Sequence, residues 1–314
     1  MPRTGIRVIF DDYCRAVAWV ESIIKKIPDN ARMYVYRATL EKEVKDFEGG
    51  IELASATPAE TNAILEANLE SAILIDIHKK FGNRREKEFI DKLKESLFGP
   101  PYSNDELTGN PAKGKGKSRT SFGRDIQSEL LLATRIIHPE IVSFKGNDIV
   151  YDLGTFKFGA EVKRIHSEAQ ISPRFNEACQ QLQDNPEIQF GLVALRFDKF
   201  YFPNVEGYEL LELAKRENSI LRTANEDELA NAAGYQTRAF RNKYNNILAQ
   251  QALRWSKVSG LCAFIYIPCL LGTPSTPYNV GQLIYNFWDI VGPNRESRKS
   301  AYTSLIEELP SGAL

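Results

Sequence analysis

Hydrophobic and polar positions follow two different periods along the chain, and the change between them divides it. Over residues 1–98 apolar residues recur mostly at helical spacing. Asp11 or Asp12 is placed to cap a helix that runs to Ile27, where Pro28 stops it. Thr57-Pro58-Ala59-Glu60 predicts a second helix start, with Thr as cap, Pro in the first turn and Glu three residues past the cap. That helix carries Ile64, Leu65, Leu69, Ala72 and Ile73 and is expected to end at Gly82, with another following to about Phe98. Residues 99–121 lose the period and are rich in Pro, Gly, Ser and Asn, which predicts a linker.

From residue 122 helical and strand patterns alternate. The spacing predicts a helix over 122–137, short strands over 141–145, 148–152 and 157–165, and a helix opened by Ser172-Pro173 that runs to Asp184. Residues 190–197 (FGLVALRF) are nearly all apolar, as in a strand covered on both faces. A long helix over 225–257, a final strand over 261–267 and two closing helices near 279–291 and 295–308 complete the pattern. The expected fold is α/β: a mixed β-sheet core flanked by helices, with helical N-terminal and C-terminal additions. Three regions follow: helical 1–98, a flexible basic linker 99–121, and an α/β domain over 122–314.

Composition narrows the classes. A chain of 314 residues with 43% hydrophobic content can bury a sizeable core. Its formal net charge of −1 excludes a partner held by overall basicity. The 4 cysteines are scattered without a CxxC pair and there are only 3 histidines, so neither a structural zinc site nor a disulfide framework is expected. The most apolar run, 261–271, contains Pro268 and is too short for a membrane span. The first residues carry no apolar signal core, and the expectation is a cytoplasmic protein with no membrane contact. Phosphate-loop, dinucleotide, serine-hydrolase-elbow and zinc-protease motifs are all missing from the sequence.

Candidate chemistry lies in 146–165. Gly154-Thr155 makes a two-residue turn in which Gly supplies a positive φ. Leu153 then opposes Phe156, opposed residue numbers sum to 309, and Asp148 falls directly across from Glu161. Opposed residues project from one face with Cβ atoms about 5 Å apart. Lys163, two residues on, shares that face. Two opposed carboxylates repel unless a cation lies between them, and a hard divalent ion suits, with the Val162 carbonyl as a further ligand. Asp152 is on the same face nearer the turn, across from Lys157, and reads as a cross-strand ion pair. A second E-x-K, Glu43-Val44-Lys45, has no strand before it and is assigned to a solvated helix face.

Asp148, then Glu161-Val162-Lys163 on the next strand, after a helix bearing Glu129, resembles the PD-(D/E)XK nuclease superfamily, the restriction endonuclease-like fold. The resemblance spans roughly residues 122–200 in the order helix, three strands, helix, strand, and Asn147 stands where the family name has Pro. It implies a Mg²⁺-dependent endonuclease, with Mn²⁺ able to substitute, acting on DNA ahead of RNA in restriction, defence or repair. Asp148 and Glu161 would be metal ligands, Glu129 an accessory ligand, and Lys163 the group that positions the attacking water. On the helix 172–184, Arg174 and Gln181 flank the apolar stripe on one side and are candidate nucleic-acid contacts. The basic run 113–124 adds Lys117, Arg119 and Arg124, and a second acid-free stretch, 235–257, interleaves basic and aromatic residues. Residues 113–174 hold a charge of +4 that the near-neutral total conceals. The competing expectation is an inactive nucleic-acid-binding or scaffolding module on the same fold. A homodimer, or a partner protein docked on 1–98, is compatible with either.

Overall fold

The computed structural model describes residues 5–29, 31–49, 57–97, 119–134, 142–145, 148–152, 154, 156–197, 201–209, 211, 222–223, 226–271 and 279–293. Four helices come first: α1 (Gly5–Ile23), α2 (Arg32–Glu48), α3 (Pro58–Phe81) and α4 (Lys87–Leu97). α3 begins as its sequence dictates. The Thr57 hydroxyl accepts from the Glu60 amide, and Glu60 Oε2 accepts from the Thr57 amide at 3.0 Å.

A helix, three strands, a helix and a strand follow. They are α5 (Arg119–Thr134), β1 (Val142–Lys145), β2 (Asp148–Asp152), β3 (Lys157–Arg164), α6 (Ile171–Asp184, entered through the 3₁₀ turn Glu168–Gln170) and β4 (Phe190–Arg196). After these come β5 (Arg222–Thr223), α7 (Glu226–Ala252), β6 (Val258–Leu271) and β7 (Asn279–Ile290). The strands form one mixed seven-stranded sheet. β1, β2 and β3 are an antiparallel meander, β4 lies parallel to β3 and β6 parallel to β4, and β7 closes antiparallel on β6. Because β7 occupies one edge of β6 from Gly260 to Leu271, β5 pairs with Leu270 and Leu271 on the edge that β4 has left.

β7 corrects the expected closing helix over 279–291. Val280, Leu283, Ile284, Phe287 and Trp288 do recur at helical spacing, but the segment pairs along β6 over its whole length. A short apolar run does not distinguish strand from buried helix by period alone, and here the pairing partner decides. The C-terminal addition is therefore a strand over these residues, and β6 is neither the last strand nor confined to 261–267. The second closing helix, 295–308, lies outside the described residues, as does the linker over 99–118.

Each sheet face buries its own core. On one face α1–α5 pack against Val142, Phe144, Ile149, Tyr151, Ala160, Val162 and Ala194. Phe144 meets Phe81 edge-on at 5.5 Å and Phe89 at 5.2 Å, tying α3 and α4 to β1. Helices α1–α4 thus form one wall of a core they share with the sheet. On the other face α6 and α7 cover Val150, Val193, Leu195, Leu261 and Ala263. Gly159 and Gly191, register partners on β3 and β4, let α6 settle close. A Cβ at either would stand 2.6 Å from Ile188 Cδ1 or 2.7 Å from Leu182 Cδ2. Among the described residues no helix is long and apolar enough to cross a membrane.

Candidate functional site

The β2–β3 hairpin has the register expected from its turn. Gly154 sits at φ 77° with open space where a Cβ would stand, so backbone conformation and not crowding requires glycine there. Ile149 faces Ala160, Val150 faces Gly159, Tyr151 faces Phe158 and Asp152 faces Lys157. One residue further, the same register sets Asp148 across from Glu161. The amide of Gln189 donates to the Lys157 carbonyl at 2.9 Å and that of Ile165 to the Arg196 carbonyl at 2.7 Å, so odd-numbered residues of β3 turn their backbone groups toward β4. Even-numbered ones, Val162 included, turn theirs toward β2. Two consequences follow. Asp148 and Glu161 form a non-hydrogen-bonded pair, the kind with Cα atoms about 4.5 Å apart and the closer side chains. The Val162 carbonyl points to the β2 edge, just past Asp148.

Alternation along β3 sends Glu161 and Lys163 to the α6 face, and Val162 and Arg164 to the α5 face. Glu161 is 3% exposed, with Lys163 Nζ at 3.4 Å from its Oε2. Burying a carboxylate this deeply is costly without a cation and hydrogen bonds around it. Lys163 also donates to Gln181 Oε1 and stands 3.5 Å from Glu177 Oε1, both on α6. Arg174 Nη1 holds the other oxygen of Glu177 at 2.8 Å. Burial alone would raise the Glu177 carboxyl, but the Arg174 hydrogen bond and the charges of Lys163 and Arg174 outweigh it and hold it below its ordinary value. Lys163 thus bridges the sheet to the helix above it.

The structure brings together Glu161, Lys163 and Gln181, with Arg174 joined through Glu177, and sets the Asp148 backbone beside them. It does not bring Glu129. That residue pairs with Lys92 of α4, on the far side of the sheet. Asp152 is exposed and faces Lys157 Nζ at 3.9 Å, as the cross-strand reading expected. Lys117 lies outside the described residues, and the side chains of Arg119, Arg124 and Asp148 are not described. Among the described side chains no cluster of three or more His, Cys, Asp or Glu is set to hold a metal ion.

The stretch 235–257 is spent mostly on packing. Phe240 is fully buried and stacks on Phe197 at 5.2 Å. Lys243 pairs with Glu168, whose carboxylate also accepts from the Tyr244 hydroxyl at 2.6 Å. The Lys243 and Tyr244 hydrogen bonds hold Glu168 below its ordinary pKa, while burial and then Glu168 push the Tyr244 phenol up to about 12. Lys257 donates to the Asn185 carbonyl, and Asn176 and Gln183 of α6 bond to Gln251 and Lys257. These contacts use the side of α6 away from Glu177 and Gln181.

The second E-x-K needs correction. Glu43 is 6% exposed, not solvated, and accepts from Asn68 Nδ2 at 3.0 Å. It follows Tyr36 and Leu40 on the buried stripe of α2, a signal already present in the spacing. Burial pushes its carboxyl up to about 7, against the pull of the Asn68 hydrogen bond. Glu177 was also legible: it lies three residues after Arg174 and four before Gln181, on the same side of α6. Nothing local pointed to Lys92.

No protein-family model matches the chain, and no curated protein matches it either.

Proposed function

We propose that the chain is a metal-dependent nuclease of the PD-(D/E)XK type that hydrolyses phosphodiester bonds, DNA ahead of RNA. The observation that carries this reading is the hairpin register, which sets Asp148 across from Glu161 with Lys163 on the same face, beneath α6. The order α5–β1–β2–β3–α6–β4, with β4 parallel to β3, supports it.

The donor set suits a hard divalent cation. Asp148 and Glu161 offer oxygens from neighbouring strands, and the Val162 carbonyl turns to the same edge. Mg²⁺, or Mn²⁺ in its place, would polarise a phosphoryl oxygen and lower the pKa of a bound water. Lys163 has the other task. Its side chain is 14% exposed, and its ammonium, aimed by Gln181, orients the attacking water and stabilises negative charge gathering on the phosphoryl oxygens. Glu129 stays with Lys92 and is left out of the ligand set.

The test is cleavage of plasmid and single-stranded DNA by the full chain with Mg²⁺. Cleavage requires the metal and falls by at least roughly 100-fold in folded Asp148→Ala, Glu161→Ala and Lys163→Ala proteins. Activity that survives all three changes overturns the reading. The alternative is an inactive binding module on the same fold. It is favoured by one observation, the enclosure of Lys163 between Glu161, Glu177 and Gln181, and it predicts DNA binding without cleavage at any metal concentration.

A further inference from the structure

One side of α6 carries Arg174, Glu177 and Gln181, and the last two meet Lys163 of β3. The Glu177 carboxylate divides its oxygens between two cations from different elements: Oε1 lies 3.5 Å from Lys163 Nζ on β3, and Oε2 lies 2.8 Å from Arg174 Nη1 on α6. That is how a phosphate would bind there, one non-bridging oxygen to each cation.

We propose that Lys163 and Arg174 form a phosphate subsite which Glu177 fills in the free protein, and that a phosphodiester group of a nucleic acid strand displaces it. The inference rests on the nuclease reading for its substrate class.

Exposure decides which contact of Lys163 can exchange. Glu161 is 3% exposed and has nowhere to go, and Gln181 is neutral and aims the ammonium. Glu177 is 44% exposed and Arg174 43%, so a turn of one outward side chain frees both cations. The released carboxylate regains water, so displacing it costs little, whereas leaving the buried Glu161 carboxylate without its cation would be costly. Charge balance agrees. Lys163 and Arg174 are cancelled by Glu161 and Glu177, and an arriving phosphate replaces the charge of the departing carboxylate one for one. Glu177 is anionic at neutral pH, because Arg174 and Lys163 hold it below its ordinary pKa despite partial burial. The subsite is thus closed to weak anions by an internal competitor and open to a strand held at other points.

The test uses the full chain without metal, so that binding is read apart from cleavage, and a fluorescein-labelled oligo-dT as probe. Glu177→Gln should tighten binding roughly five- to tenfold and steepen the slope of log affinity against log salt by about 0.7. The change in slope reports a cation newly free for phosphate, which a purely structural role would not alter. Glu177→Ala serves as the second variant, and Arg174→Gln added to Glu177→Gln should abolish the gain. Unchanged or weaker binding by folded Glu177→Gln and Glu177→Ala, beside a wild type that binds and cleaves, overturns the subsite and leaves the nuclease reading standing. Failure of wild type and variants alike to bind oligo-dT overturns the subsite, and the nuclease reading then stands or falls on the cleavage assay alone.

Discussion

The two faces of the sheet each bury a carboxylate beside a lysine, and the two pairs differ in what lies behind them. On the α5 face Glu129 meets Lys92, with side chains 11% and 4% exposed, and the pair locks α4 to α5. On the α6 face Glu161 meets Lys163, and the lysine continues outward to Glu177, which is 44% exposed. The chemistry of the two pairs is the same. The first is buried where α4 meets α5 and serves packing. The second has a path from a buried acid, through an ammonium, to a rim that solvent reaches. A buried ion pair is therefore no guide to function on its own; access to the pair separates the two roles.

Four substitutions test that contrast, beginning with the largest effect. Lys92→Met leaves Glu129 buried without its lysine and should cost about 3–5 kcal/mol, read by urea unfolding. Mg²⁺ should not repair this loss, whereas on the nuclease reading it should raise the melting temperature of Lys163→Met, because Asp148 and Glu161 would still hold the cation and offset the missing ammonium. Equal rescue by Mg²⁺ at both sites would erase the distinction between the faces.

Next comes Glu43, buried between α2 and α3 on the closed side. Its folded pKa, about 7, lies above the unfolded value, so the folded state holds the extra proton between about pH 4.5 and 7. Stability contributed by the protonated form is complete below about pH 4.5, declines as pH rises through that window, and is gone above it. Glu43→Gln should therefore match wild type in acid and exceed it by on the order of 3 kcal/mol at pH 8. Parallel stability–pH curves for the two proteins would show that Glu43 is not the titrating group.

The smallest effect on stability should come from Gly191→Ala. The added methyl presses on Leu182 and costs about 1 kcal/mol, yet it lifts α6, with Gln181 and Glu177, off Lys163. Cleavage should fall by more than the loss of folded protein accounts for. A rate that merely tracks the folded fraction would mean that the height of α6 above the sheet is not a feature of the site.

Local grammar carried much of this into the sequence. The hairpin register follows from two residues, Gly154 and Thr155, because a two-residue turn leaves one pairing that keeps the alternating apolar positions facing the core. Strand period 2 then assigns Glu161 and Lys163 to one side and Arg164 to the other without further information. Thr57 and Glu60 mark the start of α3 because a cap is made within three residues. The helix–strand order of the central region is legible for the same reason.

What the sequence alone did not contain is which element each face meets. Glu129 had a buried position and no sign that Lys92, far away in the chain, would be its partner. The 279–290 segment had a helical spacing, and only the long edge of β6 made it a strand. Glu177 and Gln181 acquire meaning because Gly159 and Gly191, unremarkable one by one, fall side by side and let α6 come down onto Lys163. Periods, caps and turns are set by neighbours a few residues apart, so the α3 start, the helix–strand order of the central region and the hairpin can be read from the chain itself. Contacts between distant segments depend on how those elements pack, so the tertiary structure alone decided which charges are enclosed and which face solvent.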